Sequence, residues 1–222
     1  MKNTDFLYNN HTRKIFQAYI IHVANNHVSV ELARRCLDSC QKINYRAELW
    51  AGFDGTGSDL IIPDNIIKQS WYKWLKITDH LQSLAEIACS LSHISLWVKC
   101  MELDQPIVIL EHDAIMVKPY TQHEIYNGIV YLGSQDQDSQ TKSDDNLIPI
   151  YSAINPNWNF IHRAHAYSID PAAARKLFTS VLSRGIYESA DVMIRADDVA
   201  IIQTGFYAYD KPGETIIKTR KK

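Results

Sequence analysis

The apolar run Ile107-Val108-Ile109-Leu110 passes without interruption into Glu111-His112-Asp113. Two acids at i and i+2 share one side of an extended chain. Hard oxygen ligands so placed can hold Mg2+ or Mn2+, with a diphosphate completing the shell. The plainer alternative is an acid that caps the turn after a buried strand. His112 points the other way in an extended chain, where it either ligates or steadies a neighbour. Further groups of the same chemical kind stand at Glu86, His93, His165 and Asp191. His93 and Trp97 lie four apart in a helical pattern and can pack simply as core and polar edge. His165 falls inside an apolar stretch, either as a satisfied core residue or as a metal or phosphate contact. Asp191 precedes Met193 and Ile194 and suits a helix N-cap as well as it suits catalysis. Arg195 is a phosphate partner or a surface charge, and Asp197-Asp198 reads as a solvated turn.

The elements that must position these groups alternate between strand and helix. Residues 16–23 are β-branched and aromatic and stop at Asn25-Asn26, as a buried strand ending in a turn does. Ser29 is the expected N-cap of a helix whose stripe is Leu32, Cys36, Leu37 and Cys40. Residues 45–50 return as a second strand, and 51–57 form a turn segment with three glycines. Residues 70–75 stay ambiguous between helix and loop. From Ser83 to Met101 the positions Leu84, Ile87, Ala88, Leu91, Ile94, Ser95 and Val98 recur at three and four, which predicts a helix of about five turns. Pro106 then opens the run 107–110, whose continuous apolarity fits a parallel strand covered on both faces. Residues 128–133 are another strand, and 134–160 read as a long mobile loop. Residues 164–169 form a strand, Pro171 opens a helix, and 199–203 and 206–209 are the last strand candidates. This order predicts one α/β layer fold with a mainly parallel sheet. In such sheets ligands bind beyond the carboxyl ends of the strands, where Glu111-His112-Asp113 falls.

Composition narrows the class. With 222 residues, 46% of them apolar, the chain can bury a full core without disulfides or a structural metal, so one domain over 1–222 is expected, its core about 15–210. Lys+Arg of 23 against Asp+Glu of 25 excludes a surface that is cationic throughout, while leaving room for a local basic stripe. The basic end 216–222 reads as a solvated terminus or an anion-binding arm. No apolar stretch of the kind an export signal needs opens the sequence, and none approaches the roughly 20 residues of a membrane span. A soluble, cytoplasmic protein is expected. Cysteines at 36, 40, 89 and 100 include no CxxC pair, so four free thiols on helices are expected and a zinc site is not indicated.

The segment LAEIACSLSHISLW at 84–97, about ten residues before ILEHDA, resembles the GEIGCALSHLSLW-type helix and ILEDDA-type strand end of glycosyltransferase family 25. Other pieces follow in the family's order: Tyr19-Ile20-Ile21-His22 is similar to its first strand, and Ala51-Gly52-Phe53-Asp54-Gly55 to its A-x-D-G turn. Ile129-Val130-Tyr131-Leu132-Gly133 resembles the strand before its variable loop, Ala164-His165-Ala166-Tyr167 its late H-A-Y strand, and Asp191 the acid of its P-V-D element. The likeness covers roughly residues 17–209. The chain departs from the pattern at His112, where the family has an acid, at His22-Val23 in place of N-L, and at Ala85 and Ala88 in place of two glycines.

The resemblance implies a single GT-A, Rossmann-like domain and an inverting transferase that takes a monosaccharide from a nucleotide-diphosphate sugar, a UDP-sugar in first place. It implies Mn2+ or Mg2+ held by Asp113 and Glu111, with His165 as a further ligand. Donor contacts fall at His22, Val23, Asp54, Gly55, Glu111 and His112. For direct displacement a carboxylate must take the acceptor hydroxyl's proton, and Asp191 is the first choice, with Glu86 and His93 behind it. Family acceptors are lipooligosaccharide glycans or hydroxylysine. A looser likeness to small bacteriophage proteins of this type points to hydroxymethylated bases of phage DNA, with Lys68, Lys73 and Lys76 among Trp71, Tyr72 and Trp74 as the surface that would meet it. DNA leads bacterial glycan narrowly. A metal-dependent phosphoesterase and a non-catalytic sugar-binding or virion module stand as the other classes.

Overall fold

The computed structural model describes residues 14–78, 83–122, 128–133, 148–149, 159–161 and 163–210. Its elements, in chain order, are β1 (Lys14–Ile15), β2 (Ala18–His22), α1 (His27–Lys42), β3 (Ala47–Ala51), α2 (Asp64–Ile67), a 3-10 turn (Trp71–Trp74), α3 (Leu84–Leu103), β4 (Ile107–Glu111), β5 (Ala114–Met116), β6 (Thr121–Gln122), β7 (Ile129–Gly133), β8 (Ile148–Pro149), β9 (Ala166–Ile169), α4 (Pro171–Arg184), α5 (Ala190–Met193) and β10 (Ile201–Asp210). Two-residue β1 and β6 pair with each other apart from the main sheet.

The main sheet runs β3-β2-β4-β9-β7-β10-β5, with β8 on β10. Among the described residues five of its eight strands, β2, β3, β4, β7 and β10, point the same way, so the sheet is mainly parallel. β9 runs against both of its neighbours, β4 and β7, and β5 and β8 run against β10. The stretch 199–209 reads as two strands in sequence; it is one strand from 201 to 210, with a register shift between Gln203 and Ala208 where its pairing with β7 is interrupted.

Strand alternation divides the core into two layers. Tyr19, Ile21, Ile107, Ile109, Ile129, Tyr131, Tyr167 and Ile169 face α3, α4 and α5. Ala18, Ile20, Val108, Leu110, Val130 and Leu132 face α1 and its buried Ala33, Cys36 and Cys40. Ile107, Val108, Ile109 and Leu110 are all fully buried, which is why β4 carries no polar residue until Glu111. Each such side chain contributes roughly 1.5–3 kcal/mol of burial. The architecture is thus helix, sheet, helix. All four cysteines are free and lie on α1 and α3.

Local chemistry sets the helix starts. α3 begins with a capping box, Ser83 accepting from Glu86 N while Glu86 accepts from Ser83 N. For α1 the cap is Asn26 rather than Ser29: Asn26 Oδ1 accepts from Ser29 N, and Ser29 Oγ is spent on Val23 N, tying the end of β2 to the first helical turn. Asp170 caps α4 ahead of Pro171, accepting from Ala173 N at 2.7 Å. No described helix is long and apolar enough to cross a membrane.

One glycine is fixed by backbone rather than by conformation. A Cβ on Gly55 would sit 2.1 Å from Leu84 O and 2.8 Å from Ala85 N at the start of α3, atoms that cannot swing aside. Gly55→Ala is expected to cost about 3 kcal/mol, a fall in Tm of roughly 6–12 °C by thermal unfolding. Gly57→Ala, with nothing within 4 Å of its Cβ, serves as the near-neutral control.

Candidate active site

Because β2, β4, β7 and β10 point the same way, His22, Glu111, Gly133 and Asp210 end at one edge of the sheet. β9 enters that edge from the opposite direction, so His165, the residue before it, arrives there too. Glu111 N donates to His165 O at 2.9 Å. The imidazole packs edge-on against Tyr131, and a Cβ at Gly133 would lie 2.2 Å from His165 Nε2. Asp210 pairs with Ala114 across β10 and β5, and its carboxylate receives both Arg163 bonds, at 3.0 and 2.9 Å.

Glu111 falls on the α3 side of the sheet. There His93 Nε2 meets Glu111 Oε1 at 3.1 Å and His93 Nδ1 meets the Tyr167 hydroxyl at 3.0 Å. Trp97 Nε1 donates to the same hydroxyl at 2.9 Å. An indole N–H can only donate, so the Tyr167 oxygen accepts from Trp97 and its own proton is available to His93 Nδ1, which leaves an Nε2 proton for Glu111. His93 and Trp97 therefore do pack four apart in the core, and they also orient a carboxylate at its edge. Burial alone would push Glu111 up; the hydrogen bond from His93, with the imidazoles of His93, His112 and His165 close by, outweighs it and holds the acid below its ordinary value.

The backbone leaves the strand at His112, so Asp113 is brought near Glu111 by a turn and not by strand alternation. Asp113 is buried, Arg35 of α1 reaches its carbonyl at 3.5 Å, and its Oδ1 has no hydrogen-bond partner. Burial, then the charges of Glu111 and Asp210, push its carboxyl up to about 7. His112 Nε2 and both ring nitrogens of His165 are likewise buried without a hydrogen bond of normal geometry. Burial lowers both imidazoles. Unpaired buried polar atoms are costly, and four gathered at one strand end mark a place built for a ligand. An acid held up to about 7 in the fold and near its ordinary value in the unfolded chain contributes stability below pH 4 that is lost as pH rises through 7. Without metal, the stability of the native protein relative to Asp113→Asn is expected to fall by roughly 3–4 kcal/mol between pH 4 and 8, read from urea unfolding.

On the α3 side, Cys89 precedes His93 by one turn, and the Cys89 Sγ, His93 nitrogen and Glu111 oxygen lie within 4.8 Å of one another. Burial, followed by the charges of Glu111, Asp191, Asp113 and Glu86, pushes the Cys89 thiol well up. Asp191 is the second residue of α5, and its Oδ1 accepts from Ser189 Oγ at 2.5 Å and Val192 N at 3.0 Å. Ser189, not Asp191, holds the N-cap position. Glu86 spends one oxygen on the capping box.

The residues that the resemblance assigns to the donor stand at the end of β2 and beyond β3. His22 Nδ1 lies 3.1 Å from Trp50 O, and burial lowers its pKa. Val23 N donates to Ser29 Oγ. Asp54 is buried, with Oδ1 accepting from Thr56 N and Thr56 Oγ1, and Gly55 is wedged against α3. Sequence reasoning missed Cys89, Tyr167, Arg163 and Asp210 as members of this edge. Cys89 was findable from its i, i+4 spacing to His93, and Asp210 from the same rule that singled out an acid closing an apolar strand.

No curated protein matches the chain. The family described as Glycosyltransferase family 25 (LPS biosynthesis protein) matches residues 33–194, about three quarters of the sequence, from within α1 to the end of α5. The match takes in Glu111, Asp113, His165 and Asp191. The chain belongs to glycosyltransferase family 25 and is a glycosyltransferase.

Proposed function

We propose that this glycosyltransferase is metal-dependent and inverting, and that its donor is a nucleotide-diphosphate sugar, a UDP-sugar first among them. The observation that carries the reading is the buried Asp113 Oδ1, without a partner and close enough to Glu111 for their charges to oppose. Such a pair fits Mn2+ or Mg2+, whose oxygen preference it meets and whose charge relieves the repulsion. Asp113 and Glu111 would hold the ion, with His165 as the third candidate. When bound, the ion supplies positive charge against the diphosphate that leaves.

The chain's own groups do the rest. His93, fixed by Tyr167 and Trp97, sets the direction of the Glu111 carboxylate. Asp191 is the base: both of its hydrogen bonds fall on Oδ1, and Oδ2 is the oxygen to which we assign the acceptor's proton. The proton leaves the acceptor oxygen as that oxygen bonds to the anomeric carbon from the face opposite the diphosphate. His93 has both nitrogens engaged and is nearly fully buried, which favours Asp191 over it as the base.

For the acceptor we favour a hydroxymethylated base of bacteriophage DNA. Trp74 is 68% exposed, Lys68, Lys73 and Lys76 around it are exposed, and Lys73 lies over the Tyr72 ring. An open indole among lysines suits an unstacked base beside phosphates. The basic end 216–222 lies outside the described residues. A bacterial glycan is the second reading, favoured by the family's description as an LPS biosynthesis protein. Mass spectrometry of reactions that pair a panel of nucleotide sugars with hydroxymethylcytosine DNA, and separately with truncated lipooligosaccharide, tests both. A hexose or pentose mass gain on DNA alone supports the first reading; a gain on the glycan alone replaces it with the second. Release of inorganic phosphate without any gain would mean a phosphoesterase.

A further inference from the structure

Cysteine spacing alone points to no zinc site, yet the fold brings one thiol to two other ligands from separate places in the chain. Cys89 and His93 stand one turn apart on α3, and Glu111 closes β4 opposite them, with one ligand atom of each inside a 4.8 Å span. We propose that Cys89, His93 and Glu111 form a second metal site, selective for a thiophilic divalent cation of the Zn2+ kind. A thiolate, an imidazole and a carboxylate are three of the four ligands of a tetrahedral zinc centre, the fourth position falling to water. Mg2+ and Mn2+ prefer oxygen, so Cys89 is the residue that separates this site from the Glu111 and Asp113 pair.

The surroundings favour occupancy. Metal-bound histidines are usually oriented by a partner on the other ring nitrogen, and His93 Nδ1 already meets Tyr167, itself held by Trp97. The Glu111 side chain is 27% exposed and Cys89 is half-buried, so a cation can reach the ligands from outside while His93 forms the back wall. Binding replaces the thiol proton, which is released to solvent. His93 then shifts its proton from Nε2 to Nδ1 and coordinates through Nε2, and the Tyr167 hydroxyl, the donor in the unbound state, turns its own proton away and accepts. Because Glu111 is common to both sites, the two occupancies exclude each other. Inhibition of sugar transfer by Zn2+ follows from this if the metal-dependent reading above holds; the binding itself does not depend on that reading.

The test uses the full chain and Co2+ alone as the probe. A near-ultraviolet sulfur-to-cobalt charge-transfer band is expected in the native protein, displaced by an equimolar amount of Zn2+ and by Mg2+ only in large excess, and lost in Cys89→Ser. Absence of the band in the native protein, or its survival in Cys89→Ser, overturns the proposal. A second measurement needs no substitution: Zn2+ should slow alkylation of Cys89, mapped by peptide mass spectrometry, while Mg2+ leaves it unchanged. Equal rates with and without Zn2+ also overturn it. Neither readout needs a sugar donor. A chain that transfers sugar but gives no band loses only the second site, and a chain that gives the band but never transfers sugar loses only the catalytic reading.

Discussion

Asp113→Ala is expected to reduce sugar transfer by about 10²–10³-fold, the range for removal of a preorganised electrostatic partner of a developing charge. The same substitution should leave the protein folded, because it deletes a buried carboxylate whose Oδ1 makes no hydrogen bond and whose charge is opposed by Glu111 and Asp210. Above pH 7 and without metal the variant is expected to be no less stable than the native chain. Nucleotide release from a panel of donors gives the activity, and thermal unfolding gives the stability. Undiminished turnover in the variant removes Asp113 from the metal assignment. A variant that unfolds at low temperature would mean instead that the carboxylate is a structural partner.

The second large effect is expected at Asp191. Asn keeps an Oδ1 that can accept from Ser189 Oγ and Val192 N, so the start of α5 should persist, while the amide cannot take a proton. Asp191→Asn should lower kcat by about 10²–10⁴ with the donor KM nearly unchanged. Equal losses in kcat and in donor affinity would make Asp191 a binding residue, and the base would have to be sought elsewhere on the rim.

Where local physics decides, the sequence was a good guide. The three-and-four spacing of α3 and its Ser83 cap specify that helix, and the unbroken apolarity of 107–110 specifies a strand buried on both faces. Segment 70–75 resisted because it is a single 3-10 turn whose Trp71 is buried and whose Trp74 is open, a pattern with neither helical nor strand period. The pairing of Glu111 with Asp113 was anticipated for a reason that the fold modifies: strand alternation ends at Glu111, and a turn brings the second acid back. The place of His165 beside Glu111 followed from no local pattern and was suggested by the family resemblance alone, since it depends on the direction in which β9 enters the sheet, a choice made by long-range pairing with β4 and β7. Ser29 and Asn26 show the smaller version of the same limit: which of the two caps α1 depends on the amide of Val23, at the end of β2, needing the Ser29 hydroxyl as its partner.

The strand that delivers His165 is stitched on both of its long sides. An imidazole at the head of such a strand cannot retreat unless two ladders come apart, and the hydrogen-only position at Gly133 leaves it no room to be replaced by a neighbour. On the proposed reading His165 is therefore a fixed side of the site, and differences in size among sugars are expected to be absorbed by parts of the protein that lie outside the woven sheet.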